Sequence, residues 1–112
     1  MKKIIIVYLL CLTSVVSFAQ TKSYQLSSHI LDISTGQPAA EVLIKLEKLS
    51  KDNKWEAVAE QKTDKNGRVA DFLSYENKNN KGVYKLVFET YPYFQRVNLD
   101  SFYPFVEVVF SI

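Results

Sequence analysis

Between Leu26 and Ile112 the chain repeats one pattern: short runs of alternating apolar and polar side chains, separated by stretches rich in glycine, proline, asparagine and serine. A period of two belongs to a strand with one buried face, because successive side chains leave a pleated backbone on opposite sides. Residues 26 to 33 set Leu26, Ser28, Ile30 and Asp32 on one face and Ser27, His29, Leu31 and Ile33 on the other. "EVLIKLEKL" (Glu41 to Leu49) separates Val42, Ile44 and Leu46 from Leu43, Lys45 and Glu47. "WEAVAEQKT" (Trp55 to Thr63) puts Trp55, Ala57 and Ala59 together, and "VADFL" (Val69 to Leu73) makes a short strand. "VYKLVFET" (Val83 to Thr90) alternates Val83, Lys85 and Val87 with Tyr84, Leu86 and Phe88. "YPFVEVVFSI" (Tyr103 to Ile112) closes the pattern with Val106, Val108 and Phe110 on one face. Six such segments without a helical repeat predict an all-β antiparallel sandwich, with a short helix or an irregular crossover near 92–97.

The connections carry their own chemistry. "DISTGQPAAE" supplies Gly36 as the permissive residue and Pro38 where no central ladder position can be filled. "SKDNK" reads as a polar hairpin turn. "TDKNGR" is the sharpest turn signal in the chain, since Asn66-Gly67 tolerates left-handed torsions. It also resembles half of a calcium loop, but the carboxylates such a loop needs downstream are missing.

The first nineteen residues follow a different rule. "MKK" is a positive start, "IIIVYLLCL" an apolar run too short for a stable membrane span, and "SVVSFA" a small-residue ending. Together they predict a signal peptide over 1–19, cleaved before Gln20, and a periplasmic or secreted domain over 20–112. Cys11, the only cysteine, falls inside that leader and lacks a lipobox setting, so the exported part has neither a thiolate nucleophile nor a disulfide. Removing Lys2 and Lys3 with the leader leaves twelve basic and twelve acidic side chains. A domain of zero net charge with no basic stripe is not built for nucleic acid.

Two residues could carry chemistry. His29 is the only histidine. On a strand it is either a surface or edge residue or, beside Ser27 and Leu31 on the same face, a general base, since histidine titrates near neutrality. One histidine cannot supply a three-histidine zinc site. Arg68 is one of two arginines against ten lysines outside the leader and follows directly on Asn66-Gly67. It is either an ordinary solvent-facing turn residue or a planar fork for a flat, oxygen-rich substrate. Arg96, beside Tyr93 and Phe94, fits surface packing better than catalysis. No Gly-x-Ser-x-Gly elbow and no glycine-rich phosphate loop is present.

"LSSHILDISTGQPAAEVLIKLEKL", "WEAVAEQKTDKNGRV", "GVYKLVFET" and "FYPFVEVVFSI", taken in order, resemble the transthyretin-like family in its 5-hydroxyisourate hydrolase branch, from about Leu26 to Ile112. The resemblance implies an eight-stranded sandwich that assembles as a homotetramer, with active sites in the channel between dimers. It implies hydrolysis of a small purine-derived substrate, 5-hydroxyisourate, to 2-oxo-4-hydroxy-4-carboxy-5-ureidoimidazoline in urate degradation. Neither a metal nor an organic cofactor is implied. The family's first-strand histidine falls on His29, which would orient or deprotonate the attacking water. Its turn arginine falls on Arg68, which would hold the substrate's oxygens and stabilise developing negative charge. Hormone-carrying transthyretins lack this pair, so its presence favours the hydrolase branch. The family pattern also continues into two more strands, with a second histidine in an "H-Y-H-V-P" context and a "Y-R-G-S" ending. Neither motif occurs within these 112 residues. We therefore expect a C-terminally incomplete sandwich, either cut from a longer protein or an inactive remnant, with little turnover from this piece alone.

A looser resemblance competes. "G-x-P-A-x-x-V-x-I" followed by "TD-x-x-G" is also similar to carboxypeptidase-regulatory-like β-sandwich modules, exported units that bind or build. On that reading Gly36, Pro38 and Gly67 serve geometry alone, and the reading does not account for "YPYF" or "SFYPFVEVVF".

Overall fold

The computed structural model describes residues 24–75 and 79–112. The expected leader over 1–19 lies outside the described residues, as does the centre of the polar connector at 76–78. Among the described residues eight strands and one helix follow in order: β1 (Tyr24–His29), β2 (Leu31–Asp32), β3 (Gln37–Pro38), β4 (Leu43–Leu49), β5 (Trp55–Lys62), β6 (Arg68–Ser74), β7 (Val83–Glu89), α1 (Thr90–Arg96) and β8 (Val106–Ser111). One sheet has the order β5-β4-β7-β8, a second pairs β1 with β6, and β2 pairs with β3. Every pairing is antiparallel. The predicted all-β antiparallel sandwich is the fold observed.

The two larger sheets close over one core. Ile44 and Leu46 from β4, Tyr84 and Leu86 from β7, and Val69, Phe72 and Leu73 from β6 form it, with Leu26, Ile30, Ala59, Phe88 and Phe110 packed at its margin. Ile44 and Leu46 are fully buried, and each such side chain contributes about 1.5–3 kcal/mol relative to exposure. The alternation in β4 and β7 thus places its residues as the sequence predicts.

Four local features depart from the sequence reading. The run 26–33 is two strands, because the β1–β6 ladder stops at Ile30: its N–H still reaches across to the Gly67 carbonyl at 2.8 Å, but its C=O turns away to accept from the Ala39 N–H at 3.0 Å. In β5, Trp55, Ala57 and Ala59 do not share a face. Leu46 pairs with Ala59 but Glu47 with Ala57, so a bulge at Val58 resets the alternation. Ala59 turns to the core while Trp55 lies outside, 4.5 Å beneath the Lys85 ammonium. The helix begins at Thr90 rather than after Pro92, which its first turn tolerates because no N–H bond is needed there. Finally, β8 starts at Val106 rather than Tyr103.

On β8, Val106, Val108 and Phe110 do share the face of Phe88, Leu86 and Tyr84, their ladder partners. Val106 and Val108 nonetheless remain 40% and 46% exposed. The outer face of this sheet is held by charge instead. Lys85 lies 3.4 Å from both Glu47 and Glu107, so one ammonium links three adjacent strands.

Candidate active site

The site begins with the register of two strands. β1 and β6 pair so that Ser28 faces Val69 and His29 faces Arg68, the last rung of that ladder. The two residues singled out in the sequence are therefore cross-strand partners. Side chains so paired lie on one side of the sheet with Cβ atoms within about 5.5 Å of each other. Ser27, Ser28, His29, Arg68, Val69 and Ala70 line a shared concavity of about 420 Å³. A larger hollow of about 730 Å³ lies against α1 between Tyr91 and Phe102. It brings neither histidine nor arginine together with another candidate group, and we favour the smaller site on chemistry.

Leu31 does not belong to this wall. It shares His29's face by parity, but lies beyond the break at Ile30, pairs with Pro38 and is 54% exposed. Ser27 does line the concavity, as its parity with His29 requires. Arg96 is occupied elsewhere: its guanidinium donates to the Ala40 and Glu41 carbonyls at 3.3 and 2.9 Å and lies 3.5 Å from the Glu41 carboxylate. That is a packing role, as the sequence suggests. Among the described residues no three His, Cys, Asp or Glu side chains converge as a metal set.

Arg68 is a strand residue rather than a free turn residue, and its place is set from the turn side. Gly67 alone takes the left-handed torsion there, at φ 74°, while Asn66 does not. The Asp64 carboxylate accepts from the N–H groups of Asn66 (2.8 Å) and Arg68 (3.0 Å). These bonds, the one from Arg68 first, hold the Asp64 carboxyl below its ordinary value. The half calcium loop seen in "TDKNG" is thus a self-satisfied turn, with its carboxylate spent on backbone.

A second carboxylate braces the far side of the same strand region. Asp32 accepts from the Ser34 hydroxyl at 2.5 Å, the Ser34 N–H at 3.0 Å and the Tyr93 hydroxyl at 2.7 Å. The Ser34 hydroxyl, then the Tyr93 hydroxyl, hold its carboxyl low, while burial followed by this carboxylate pushes the Tyr93 phenol up. The bond ties α1 to the end of β2. Nothing in the sequence pairs residues 61 positions apart, so neither partner stands out there.

A model of the HIUase/Transthyretin family matches residues 26–112. The chain belongs to this family. A Caenorhabditis elegans protein named "Probable 5-hydroxyisourate hydrolase" is 44% identical over 87 residues, covering 78% of this chain and 63% of the relative. The mouse 5-hydroxyisourate hydrolase is 36% identical over 93 residues, covering 82% and 78%. The Salmonella dublin 5-hydroxyisourate hydrolase is 41% identical over 87 residues, covering 78% and 62%. The chain thus spans slightly less than two thirds of the nematode and Salmonella relatives. Among solved structures, transthyretin from Sparus aurata superposes with a TM-score of 0.75 at 30% identity, covering 80% of this chain and 77% of that one. The HIUase/Transthyretin assignment and the β-sandwich agree, and the carboxypeptidase-regulatory-like alternative gains no support from either.

Proposed function

We propose that this member of the HIUase/Transthyretin family is a 5-hydroxyisourate hydrolase, with His29 and Arg68 as its catalytic pair. The observation that carries this reading is their placement as facing partners on the last rung of β1 and β6, lining one concavity. His29 takes a proton from the attacking water. Arg68 presents a fork of N–H donors to the oxygen that becomes negative as the carbonyl turns tetrahedral. The naming of the curated relatives supports the substrate. Ser27, His29, Arg68 and Ala70 are all exposed in a single chain, so the reading includes a homotetramer in which this face lines a water-poor channel. The leader expected over 1–19 would send the enzyme out of the cytoplasm.

The test is turnover of freshly generated 5-hydroxyisourate by the protein at the length its host produces, followed by ultraviolet absorbance. His29→Asn should lower kcat/KM by about 100-fold or more, and Arg68→Lys by a comparable factor, because an ammonium does not reproduce the planar fork. Wild-type rates in either variant, or no turnover by the native protein, would overturn the proposal.

A further inference from the structure

The rung that joins His29 to Arg68 belongs to a thin ladder. It is terminal, the ladder has only two strands, and two register irregularities interrupt it between Tyr24 and Ser28. Strand ends of this kind open locally far more readily than sheet centres. A brace beyond the ladder would steady Arg68 against His29.

The bonds around Arg68 identify it. The Arg68 N–H goes to the Asp64 carboxylate at 3.0 Å, and the Arg68 C=O accepts from the Asp64 N–H at 2.9 Å. The Asp64 C=O accepts from the Gly67 N–H at 2.9 Å, and the Gly67 C=O accepts from Ile30, the residue after His29, at 2.8 Å. One residue therefore grips both backbone groups of Arg68 and, through Gly67, the end of β1. We propose that Asp64 is a positioning residue for the His29–Arg68 pair, a role that rests on the function proposed above.

The molecule contains its own control. The β4–β5 turn repeats the same bonding around Ser50. The Ser50 N–H donates to the Lys54 C=O (2.8 Å), and the Asn53 N–H donates to the Ser50 C=O (3.0 Å). The Ser50 hydroxyl accepts from the N–H groups of Asp52 and Lys54 at 3.3 and 3.2 Å. Asn53 takes the left-handed torsion, φ 59°, that Gly67 takes in the other turn. Both turns lose the same pattern of bonds when the acceptor side chain is removed, those to the Asp64 carboxylate being the shorter and charge-assisted, and only one of them holds a residue of the site.

Asp64→Ala and Ser50→Ala are compared in the full-length protein, with Asp64→Ser as the variant that keeps a single acceptor oxygen. Both alanine variants should lose thermal stability, Asp64→Ala by more degrees than Ser50→Ala because its lost bonds are charge-assisted. Only Asp64→Ala should lower kcat for 5-hydroxyisourate, by about tenfold, and Asp64→Ser should restore most of it. Amide exchange of Ile30, read by NMR, should quicken about tenfold in Asp64→Ala and stay unchanged in Ser50→Ala. Equal kcat losses in the two alanine variants, or an Ile30 amide indifferent to Asp64, would overturn the positioning role. If the native protein opens no 5-hydroxyisourate, the catalytic reading fails alone, and the Ile30 amide still decides whether Asp64 holds the rung. Should Asp64→Ala not fold, Asp64→Ser is read against wild type in the same two assays, and wild-type values in both would refute the role.

Discussion

Gly67 and Gly36 share a positive φ but not a neighbourhood, and alanine at each position separates two costs. Their φ angles are +74° and +70°. An L-residue held there loses about 1–2 kcal/mol relative to glycine. At Gly36 an added Cβ meets no heavy atom within 4 Å, so Gly36→Ala should cost about 1–2 kcal/mol and no more. At Gly67 the Cβ would overlap the Ile30 carbonyl oxygen and approach the Pro38 Cβ at 3.2 Å and the Ala39 N at 3.3 Å. The carbonyl is backbone and cannot rotate aside. Relief requires the turn to move off β1, which gives up the bond from the Ile30 N–H to the Gly67 C=O and strains that from the Ala39 N–H to the Ile30 C=O. At about 1 kcal/mol per bond, Gly67→Ala should cost about 3–4 kcal/mol in all.

The assay is equilibrium urea unfolding followed by the fluorescence of Trp55, the only tryptophan. The stiffening of the unfolded chain by alanine is common to both variants and cancels in their difference. Gly67→Ala should be less stable than Gly36→Ala by about 2 kcal/mol, or roughly 8–16 °C in Tm for a domain of this size. Equal losses would mean that the turn shifts freely. The close approach of Gly67 to Ile30 would then not be what holds β6 against β1.

Tyr93→Phe removes the hydroxyl that donates to Asp32 at 2.7 Å and should cost about 1.5–3 kcal/mol near neutral pH, read by urea unfolding. Asp32's folded pKa lies below its ordinary 3.8, so its contribution is present above that value and lost as pH falls through the folded one. Tyr93's lies above its ordinary 10.0, so its contribution is present below that value and lost as pH rises through the folded one. The gap between wild type and Tyr93→Phe should therefore narrow at both extremes, and a gap independent of pH would contradict the assignment. Thr63→Val removes a buried hydroxyl that donates to the Ala39 C=O at 2.7 Å and accepts from the Val42 N–H at 2.9 Å. Two buried backbone groups lose their partner, and urea unfolding should show a loss of about 2–5 kcal/mol.

What could be read from the sequence was whatever depends on parity within one strand. Val42, Ile44 and Leu46 face inward because a period of two leaves them no other choice. The same rule failed in β5, where the bulge at Val58 resets the count opposite Leu46 and Glu47. A bulge leaves no mark in the pattern when small residues such as Ala57 and Ala59 suit either side. In β8 parity grouped Val106, Val108 and Phe110 correctly, yet Val106 and Val108 stay exposed. Alternation states which side chains share a face and is silent about what covers them. His29 and Arg68 stood out by rarity of type, and only the register of β1 and β6 could make them neighbours.

The two matched turns carry this one step further. Asp64 to Arg68 and Ser50 to Lys54 have the same local grammar: an oxygen-bearing side chain, a lysine, a short polar residue, a left-handed position and a cation. Local physics gives both the same bonds. Their difference is non-local. The Ser50 turn joins two strands of one sheet, whereas β5 and β6 belong to different sheets, so the Asp64 turn is a corner of the sandwich. A corner must meet the edge of the opposite layer, and here it meets Ile30 at the end of β1. That contact makes the residue after Gly67 the partner of His29, whereas Lys54 remains a solvated cation. A turn of this type becomes part of a site by what its backbone docks against, and no pattern within five residues encodes that.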